Sequence, residues 1–370
     1  MFHVLKQEGH MLELIVPKTK KEKRELLRFY KSQYLNNPLR RDSLSGLLEG
    51  VLFETSVMNQ SMQTLPLMIK KDKTIVMMCV IAKAWRLPTY LQISFFESKD
   101  EHMDAFKMLF DKAMEISRLW GTEKICASLN IHVNYGLGFL ADAYHRPQSF
   151  GMAHNDPYIH GYFEAFGFQA IPMVTFYKDM KKEFQIIGER LRERLNKRYT
   201  VRHADFKNIK KEAKIYTEIN NDAFSNHPFY YKRVEAEDLE LFKNFKWLLK
   251  PENLLFVEKA GQPVGFMLWY PDFHQIMKPK ESIGLRTVIR AALWKEKLTR
   301  FKIVEMGIIQ EEQKKGAILA LFDHCFRITK DKYAFFESGW VLKENTMSGS
   351  LGYKWSDGID KNYIAYVKEL

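Results

Sequence analysis

Cysteine is scarce in this chain. Its three residues, Cys79, Cys126 and Cys325, lie far apart, each inside an apolar run. Such spacing supplies neither the short Cys-x-x-Cys pairs of a zinc site nor a disulfide framework. The three read as buried thiols of a reducing compartment, and no metal is expected. Long apolar runs are missing too. No stretch of about 18 uncharged apolar residues occurs and the N-terminus has no apolar leader core, so a soluble, cytoplasmic protein without membrane insertion is expected. Acidic residues are outnumbered, 45 against 57 Lys and Arg, for a formal charge of +12.

At 370 residues the chain exceeds the roughly 250–300 residues at which single cores stop growing, so two domains are expected. The apolar fraction of 46% suits globular domains and argues against a disordered adaptor. The charge excess is concentrated. Residues 178–214 hold 13 basic and 6 acidic residues, +7 of the +12. That segment reads as a solvated helix, ERLRERLNKRY, with Glu189 and Glu193 paired to basic neighbours at helical spacing. It also reads as a landing surface for a polyanion such as tRNA, or for an anionic cofactor.

Hydrophobic periodicity gives one element order twice. In the first half KEKRELLRFYKSQYL reads as a helix, LPLMIKKDKTIVMMCVIA as a hairpin turning at Lys71-Asp72-Lys73, and TYLQISFF as a strand. The stretch from Ser98 reads as a helix with a Ser N-cap that stops at Gly121. EKICASL, DPYIHGYFEAFGF and QAIPMVTFYKDM then read as strand, helix and strand. In the second half KNIKKEAKIYTEINNDAF is a helix, NLLFVEKAGQPVGFMLWY a hairpin, FKIVEMGII a strand, KKGAILALFDHCFRITKD a helix, and AFFESGW and NYIAYVKEL strands. Two α+β units with mixed sheets follow. The expected boundaries are residues 1–180 for the first lobe, 181–199 for a basic connector helix and 200–370 for the second lobe.

The junction from strand to helix at EEQKKGAI carries the chemistry. A helix start presents unpaired N–H groups and a partial positive charge, and two lysines with a glycine there suit an anion. Gln313-x-x-Gly316-x-Ile318 resembles the pyrophosphate-binding signature of the GCN5-related N-acetyltransferase (GNAT) superfamily, with Ile318 where that pattern has Gly or Ala. Met306-Gly307-Ile308 resembles the small apolar triplet that precedes the signature. The segment from Ser338 to Met347, together with Lys361 to Tyr366, resembles the C-terminal signature of a bacterial group of two-lobed, GNAT-like N-acyltransferases. So do Pro271 to Gln275, and Asn155 through Gly167-Phe168. The resemblance runs from about Leu27 to Leu370.

It implies a tandem GNAT-like acyl-CoA N-acyltransferase fold, with acetyl-CoA or a longer acyl-CoA as co-substrate and an amine as acceptor. Direct attack of the amine on the thioester is the reaction implied. Backbone N–H near Ile308 or Ile309 would polarise the thioester carbonyl. Gln313, Lys314, Lys315, Gly316, Ala317 and Ile318 would hold the pyrophosphate, with Asn345 as a further cofactor contact. The first lobe lacks the glycine signature and has Phe163 where the family places a tyrosine acid, so it reads as degenerate. Its Asn155, Tyr158 and His160 stand as candidate substrate contacts in a long loop that also holds His132, Asn134, Tyr135 and His154. In the second lobe the tyrosine slot is Ser348. Asp272 and His274 are candidates for a base and its orienting partner, or for turn formers. Glu305, three residues before Ile308, reads as facing the opposite side of its strand in a structural role. An aminoacyl-tRNA-dependent Fem-type transferase and a non-catalytic binding protein are the alternatives, and the chain could be a monomer or a homodimer.

Overall fold

The computed structural model describes residues 3–7 and 10–370. Chain contacts divide it into two units. Unit 1 is Met1–Met173 with Met277–Ile283 and Lys361–Leu370; unit 2 is Val174–Ile276 with Gly284–Asp360. The last ten residues of the chain thus belong to the first unit.

In chain order the first elements are β1 (His3–Gln7), β2 (His10–Ile15), α1 (Lys20–Leu35), α2 (Ser45–Leu52), β3 (Met62–Lys71), β4 (Thr74–Ala84) and β5 (Tyr90–Ser98). They continue with α3 (Met103–Trp120), β6 (Lys124–Ala127), β7 (Phe139–Leu140), α4 (Ile159–Ala165) and β8 (Gln169–Asp179). Strands β1 to β5 pair antiparallel in sequence, β6 joins β5 in parallel, and β15 (Gly358–Glu369) pairs antiparallel with β6 and β7.

Local chemistry accounts for these boundaries. Thr19 and Glu22 form a capping box at α1, the Glu22 carboxylate accepting from the Thr19 N–H at 2.8 Å while the Thr19 hydroxyl accepts from Glu22 N–H at 3.2 Å. The β3–β4 turn places Asp72 and Lys73 at φ +49° and +69°, the left-handed pair that a two-residue hairpin requires. Helix α3 buries Ala105, Phe106, Leu109, Phe110, Ala113 and Ile116 on one face against β-strand residues such as Leu67, Val76 and Ile93, and Gly121 closes it at φ +62°. Its start differs from the expectation. Ser98 is the last residue of β5, and His102, without a side-chain cap, precedes the helix.

The second set is α5 (Glu189–Asn196), β9 (Thr200–His203), α6 (Ile209–Ala223), α7 (Glu235–Phe245), β10 (Leu254–Lys259), β11 (Gln262–Pro271) and α8 (Leu285–Leu293). It ends with β12 (Arg300–Ile308), α9 (Ala317–Thr329), β13 (Phe335–Ser338), β14 (Val341–Leu342), α10 (Thr346–Trp355) and β15. Strands β9 to β12 pair antiparallel, and β13 joins β12 in parallel and β8 antiparallel. One face of this sheet packs Leu255, Val257, Met267, Trp269 and Ile308 against Ala317, Ala320, Leu321 and Cys325 of α9. The other packs Phe256, Phe266 and Leu268 against Ala213, Tyr216 and Ile219 of α6. Three-layer packing of this kind makes both faces of β11 and β12 apolar.

The connector helix α5 belongs to this core. Leu195 is buried with α9, and Arg192 donates Nε and Nη2 to the two carboxylate oxygens of Asp323 on α9, both at 3.0 Å. A fork-to-fork pair on a buried carboxylate holds the helix down. Among the described residues no helix is long and apolar enough to cross a membrane.

Candidate functional site

The parallel pair β12–β13 is where unit 2 opens. It runs only from Arg300 opposite Phe335 to Ile303 opposite Ser338. Just there β12 bulges: Leu268 faces Glu305 and Trp269 faces Ile303, which leaves Val304 without a partner on β11. The chain after β13 crosses the bulge at Gly339, whose N–H donates to Ile303 O at 2.6 Å. A Cβ at residue 339 would lie 2.6 Å from the Val304 carbonyl oxygen, so only glycine fits this crossing. Beyond it, no described strand pairs with that edge of β12, and residues 304–308 line a wedge between diverging strands.

The backbone at the far end of β12 faces that wedge. The Ile309 N–H donates to Val264 O on β11 at 3.0 Å. Hydrogen-bonded and non-bonded pairs alternate along an antiparallel ladder, so the next residue back, Ile308 opposite Gly265, turns its N–H and C=O away from β11. The Gln313 side-chain amide confirms the direction by donating to Ile308 O at 3.1 Å. Of the two backbone donors suggested by sequence, Ile308 faces the opening and Ile309 is held in the sheet.

From Ile308 the chain makes a short turn at Gln310–Glu312, passes Lys314 at φ +60° and Gly316 at φ +101°, and enters α9 at Ala317. The first helical hydrogen bonds to Gly316 O come from Leu319 and Ala320. The Ala317 and Ile318 N–H groups are therefore helix-start donors. Gly316 is constrained twice, by its φ and by Leu195, whose Cδ2 would lie 2.7 Å from an added Cβ. Ile318 packs on the core with Ile308. Its branched side chain is therefore turned inward.

Sequence reasoning gave no role to Glu312, which organises this loop. It is 2% exposed and receives Lys259 Nζ at 2.5 Å, Tyr199 Oη at 2.8 Å, Arg198 at 3.3 Å and Lys315 Nζ at 3.4 Å. The Lys259 ammonium and then the Tyr199 hydroxyl lower its pKa to about 2. Three cations around one carboxylate leave a net positive charge beside the start of α9.

Glu305 is the second carboxylate that the structure singles out. Its side chain does lie on the face opposite Ile308, but that face is covered by α6. Tyr216 donates its hydroxyl to one carboxylate oxygen and Asn220 its amide to the other at 2.8 Å. Burial raises the Glu305 pKa to about 7 against the lowering effect of these donors. Two residues on, Gly307 admits Ala223 and Phe224, which an added Cβ would meet at 2.9 and 3.4 Å. Phe224 begins an aromatic group. Its ring centroid lies 5.7 Å from Tyr230, and His227 stands 6.1 Å from Phe229 and 5.9 Å from Trp340, the residue after Gly339. Burial lowers the His227 pKa to about 4, so the imidazole is neutral near pH 7.

The other expected site residues are dispersed. Asp272 accepts the His274 N–H at 3.1 Å in the turn after β11, and both are buried. Asn345 is exposed, its carbonyl accepting from Gly349 N–H at 2.8 Å at the start of α10. The Ser348 side chain lies outside the described residues. In unit 1, Asn155 binds the Leu140 backbone through both amide atoms at 2.6 and 3.2 Å, and Tyr158 donates to Ser98 O at 2.8 Å. His160 lies between Leu140 O at 2.7 Å and the Tyr366 hydroxyl at 2.9 Å. These three side chains fasten a loop to its own sheet.

No family model matches the chain. A tandem GNAT protein from the clavulanic acid biosynthesis pathway superposes with a TM-score of 0.55 at 10% identity, over 97% of this chain and 98% of that one. The fold is that of a tandem GNAT protein. A GCN5-related glucosamine N-acetyltransferase region of a fungal multi-domain β-N-acetylglucosaminidase superposes with a TM-score of 0.56 at 10% identity, over 96% of this chain and 38% of that one. In sequence, a bacterial ceramide synthase of Caulobacter vibrioides is 24% identical over 277 residues, 72% of each chain.

Proposed function

We propose that unit 2 is an acyl-CoA-dependent N-acyltransferase whose acceptor is an amine attached to an apolar chain. The observation that carries this reading is the wedge itself: an open strand edge with the Ile308 N–H turned into it, ending at a glycine-started helix. The residues fit the co-substrate. The Ala317 and Ile318 N–H groups with the Lys314 and Lys315 ammoniums suit a pyrophosphate, and the open edge of residues 304–308 suits an amide-bearing arm.

Bound acyl-CoA supplies an activated thioester carbon. The Ile308 N–H would donate to the carbonyl oxygen as negative charge develops on it. Glu305, poised near neutrality, would take a proton from the incoming ammonium, directly or through a water. The nitrogen then forms the new C–N bond as the C–S bond breaks; the second proton it sheds on becoming an amide nitrogen passes to solvent, and the departing thiolate takes one from solvent.

Two observations favour an apolar acceptor over an amino acid. The aromatic group of Phe224, His227, Phe229, Tyr230 and Trp340 adjoins Gly307 and Gly339 with no fixed charge among its rings. The sequence relative is a ceramide synthase, so a long-chain amino alcohol is the acceptor to try first. Two of the connector's cations are engaged, Arg192 with Asp323 and Arg198 with Glu312, which weakens the tRNA-dependent alternative, while Arg190, Arg194 and Lys197 are exposed. The test is thiol release from acetyl- and long-chain acyl-CoA, with sphinganine or short amino acids as acceptors and mass spectrometry of the amide. Sphinganine-dependent release is expected; release with amino acids alone, or none with any acceptor, contradicts the reading.

A further inference from the structure

Helix α8 has its polarity inverted. A surface helix of a globular domain turns its apolar stripe inward. Here the one buried residue is a threonine, Thr287, while Leu285, Ile289 and Leu293 are 75, 49 and 69% exposed. Their spacing of four places them on one face over two turns. Scattered exposed leucines need no explanation, but three large apolar side chains aligned on nine residues form a contiguous patch. Packing on the opposite side holds the helix in this orientation. The Arg290 guanidinium donates to Ile276 O at 3.3 Å and lies 5.4 Å from the Trp294 ring, and the Lys297 ammonium lies 4.1 Å over the same ring.

The charge around the stripe selects its partner. Between Gly284 and Leu298 there are four basic residues, Arg286, Arg290, Lys295 and Lys297, against one acid, Glu296. Arg286, exposed, follows Leu285 directly on the flank of the stripe, and Lys295 and Lys297, also exposed, lie just past its end. Leucine and isoleucine on one face, arginine and lysine beside them and a tryptophan at the end form the pattern of a helix that lies in the headgroup layer of an anionic bilayer. At about 14 Å the helix is less than half the roughly 30 Å needed to span.

We propose that α8 docks this protein on anionic membrane surfaces, seating Leu285, Ile289 and Leu293 among the acyl chains while the flanking cations meet lipid phosphates. The proposal goes beyond the acyl-transfer reading and does not depend on it, because docking is measured without turnover. It would bring the enzyme to a surface where amphiphilic amines reside.

The test is flotation of the full chain with vesicles of phosphatidylcholine alone or with one-third phosphatidylglycerol. The wild-type chain should float with the anionic vesicles, and raising salt from about 0.05 to 0.5 M should weaken binding several-fold as the Debye length shortens. Leu285→Gln/Ile289→Gln/Leu293→Gln should reduce binding at least tenfold with an unchanged thermal midpoint, since the altered side chains are exposed. Lys295→Gln/Lys297→Gln should keep the residual binding but lose much of its salt dependence. Absence of wild-type flotation on anionic vesicles, or equal flotation of the triple glutamine variant, overturns the proposal. So does a wild-type chain that ignores vesicles but dimerises, with the triple variant monomeric by light scattering, because the stripe is then a self-association face.

Discussion

Each unit has a strand that parts from its parallel neighbour, and the two wedges differ in what fills them. In unit 1, β5 and β6 pair from Tyr90 opposite Lys124 to Ile93 opposite Ala127, and Ser128 N–H donates to Ile93 O at 3.2 Å, as Gly339 does to Ile303 in unit 2. There the likeness ends. The loop after β6 folds back: Asn130 Oδ1 accepts the Phe95 N–H at 2.8 Å, and the Ser94 hydroxyl donates to Leu129 O at 2.6 Å and accepts from Ile131 N–H at 3.3 Å. The start of the next helix is also occupied, His102 N–H donating to the Tyr162 hydroxyl at 2.6 Å, with Asp104 in the first turn. One wedge is stoppered by its own loop and faces an acidic helix start; the other is open and faces lysines. On the proposed reading the same fold supports one site and one scaffold, and side chains rather than topology decide which is which.

The difference can be broken first at the turn into α9, the proposed pyrophosphate site. Gln313→Ala with Gly316→Asp should abolish the thermal shift given by acyl-CoA, because it removes the amide that fixes Ile308 O and places a carboxylate at the start of α9. Lys99→Ala with Glu101→Ala at the matching turn of unit 1 should leave the shift intact. A shift that survives the first pair or is lost with the second moves the site to unit 1.

Glu305→Gln should lower kcat by about 100-fold or more with little change in the acyl-CoA shift. In the wild-type chain kcat should rise with pH through a midpoint near 7, the value to which burial raises Glu305. The same group has a linkage consequence. Its folded pKa exceeds the unfolded value of about 4.3, so the folded state holds the extra proton and its contribution to stability falls as pH rises from that value through 7. Glu305→Gln should flatten both profiles, and a kcat profile unchanged in the variant would assign the base elsewhere. Glu312 has the opposite sign. Its depressed pKa contributes stability above the unfolded value that is lost as pH falls towards 2, so Glu312→Gln should make acid unfolding less steep, as followed by circular dichroism.

Smaller effects separate the two crossings. Gly339→Ala should cost about 1–3 kcal/mol by crowding the Val304 carbonyl, and should lower activity as the wedge deforms. Asn130→Ala should cost about 1–2 kcal/mol through the Phe95 N–H it leaves without its cap, with kcat unchanged. Urea unfolding and steady-state rates measure both.

Much of this was legible in the sequence because it is local. The repeated order of helices and strands, the turn at Asp72-Lys73, the stop at Gly121 and the glycine-started entry into α9 all rest on neighbours within a few residues. What escaped depends on distant partners. The role of Glu305 needs Tyr216 and Asn220 on a helix some 85 residues earlier, and that of Glu312 needs Lys259 and Tyr199. Helices α7 and α8 were not anticipated, α8 because its apolar residues face outward and so mimic an ordinary stripe in a short, charged stretch. Asn155 and His160 were candidate substrate contacts in sequence, where their tethers to the Leu140 backbone could not be seen.

The central claim is that the chain has one acyl-CoA site and that it is the open wedge of unit 2. Isothermal titration of the full chain with a non-hydrolysable acyl-CoA thioether tests it most directly. The account predicts one molecule bound per chain, lost in the Gln313→Ala, Gly316→Asp double variant and retained in Asn130→Ala. Two molecules per chain, or one that survives the double variant, would contradict it.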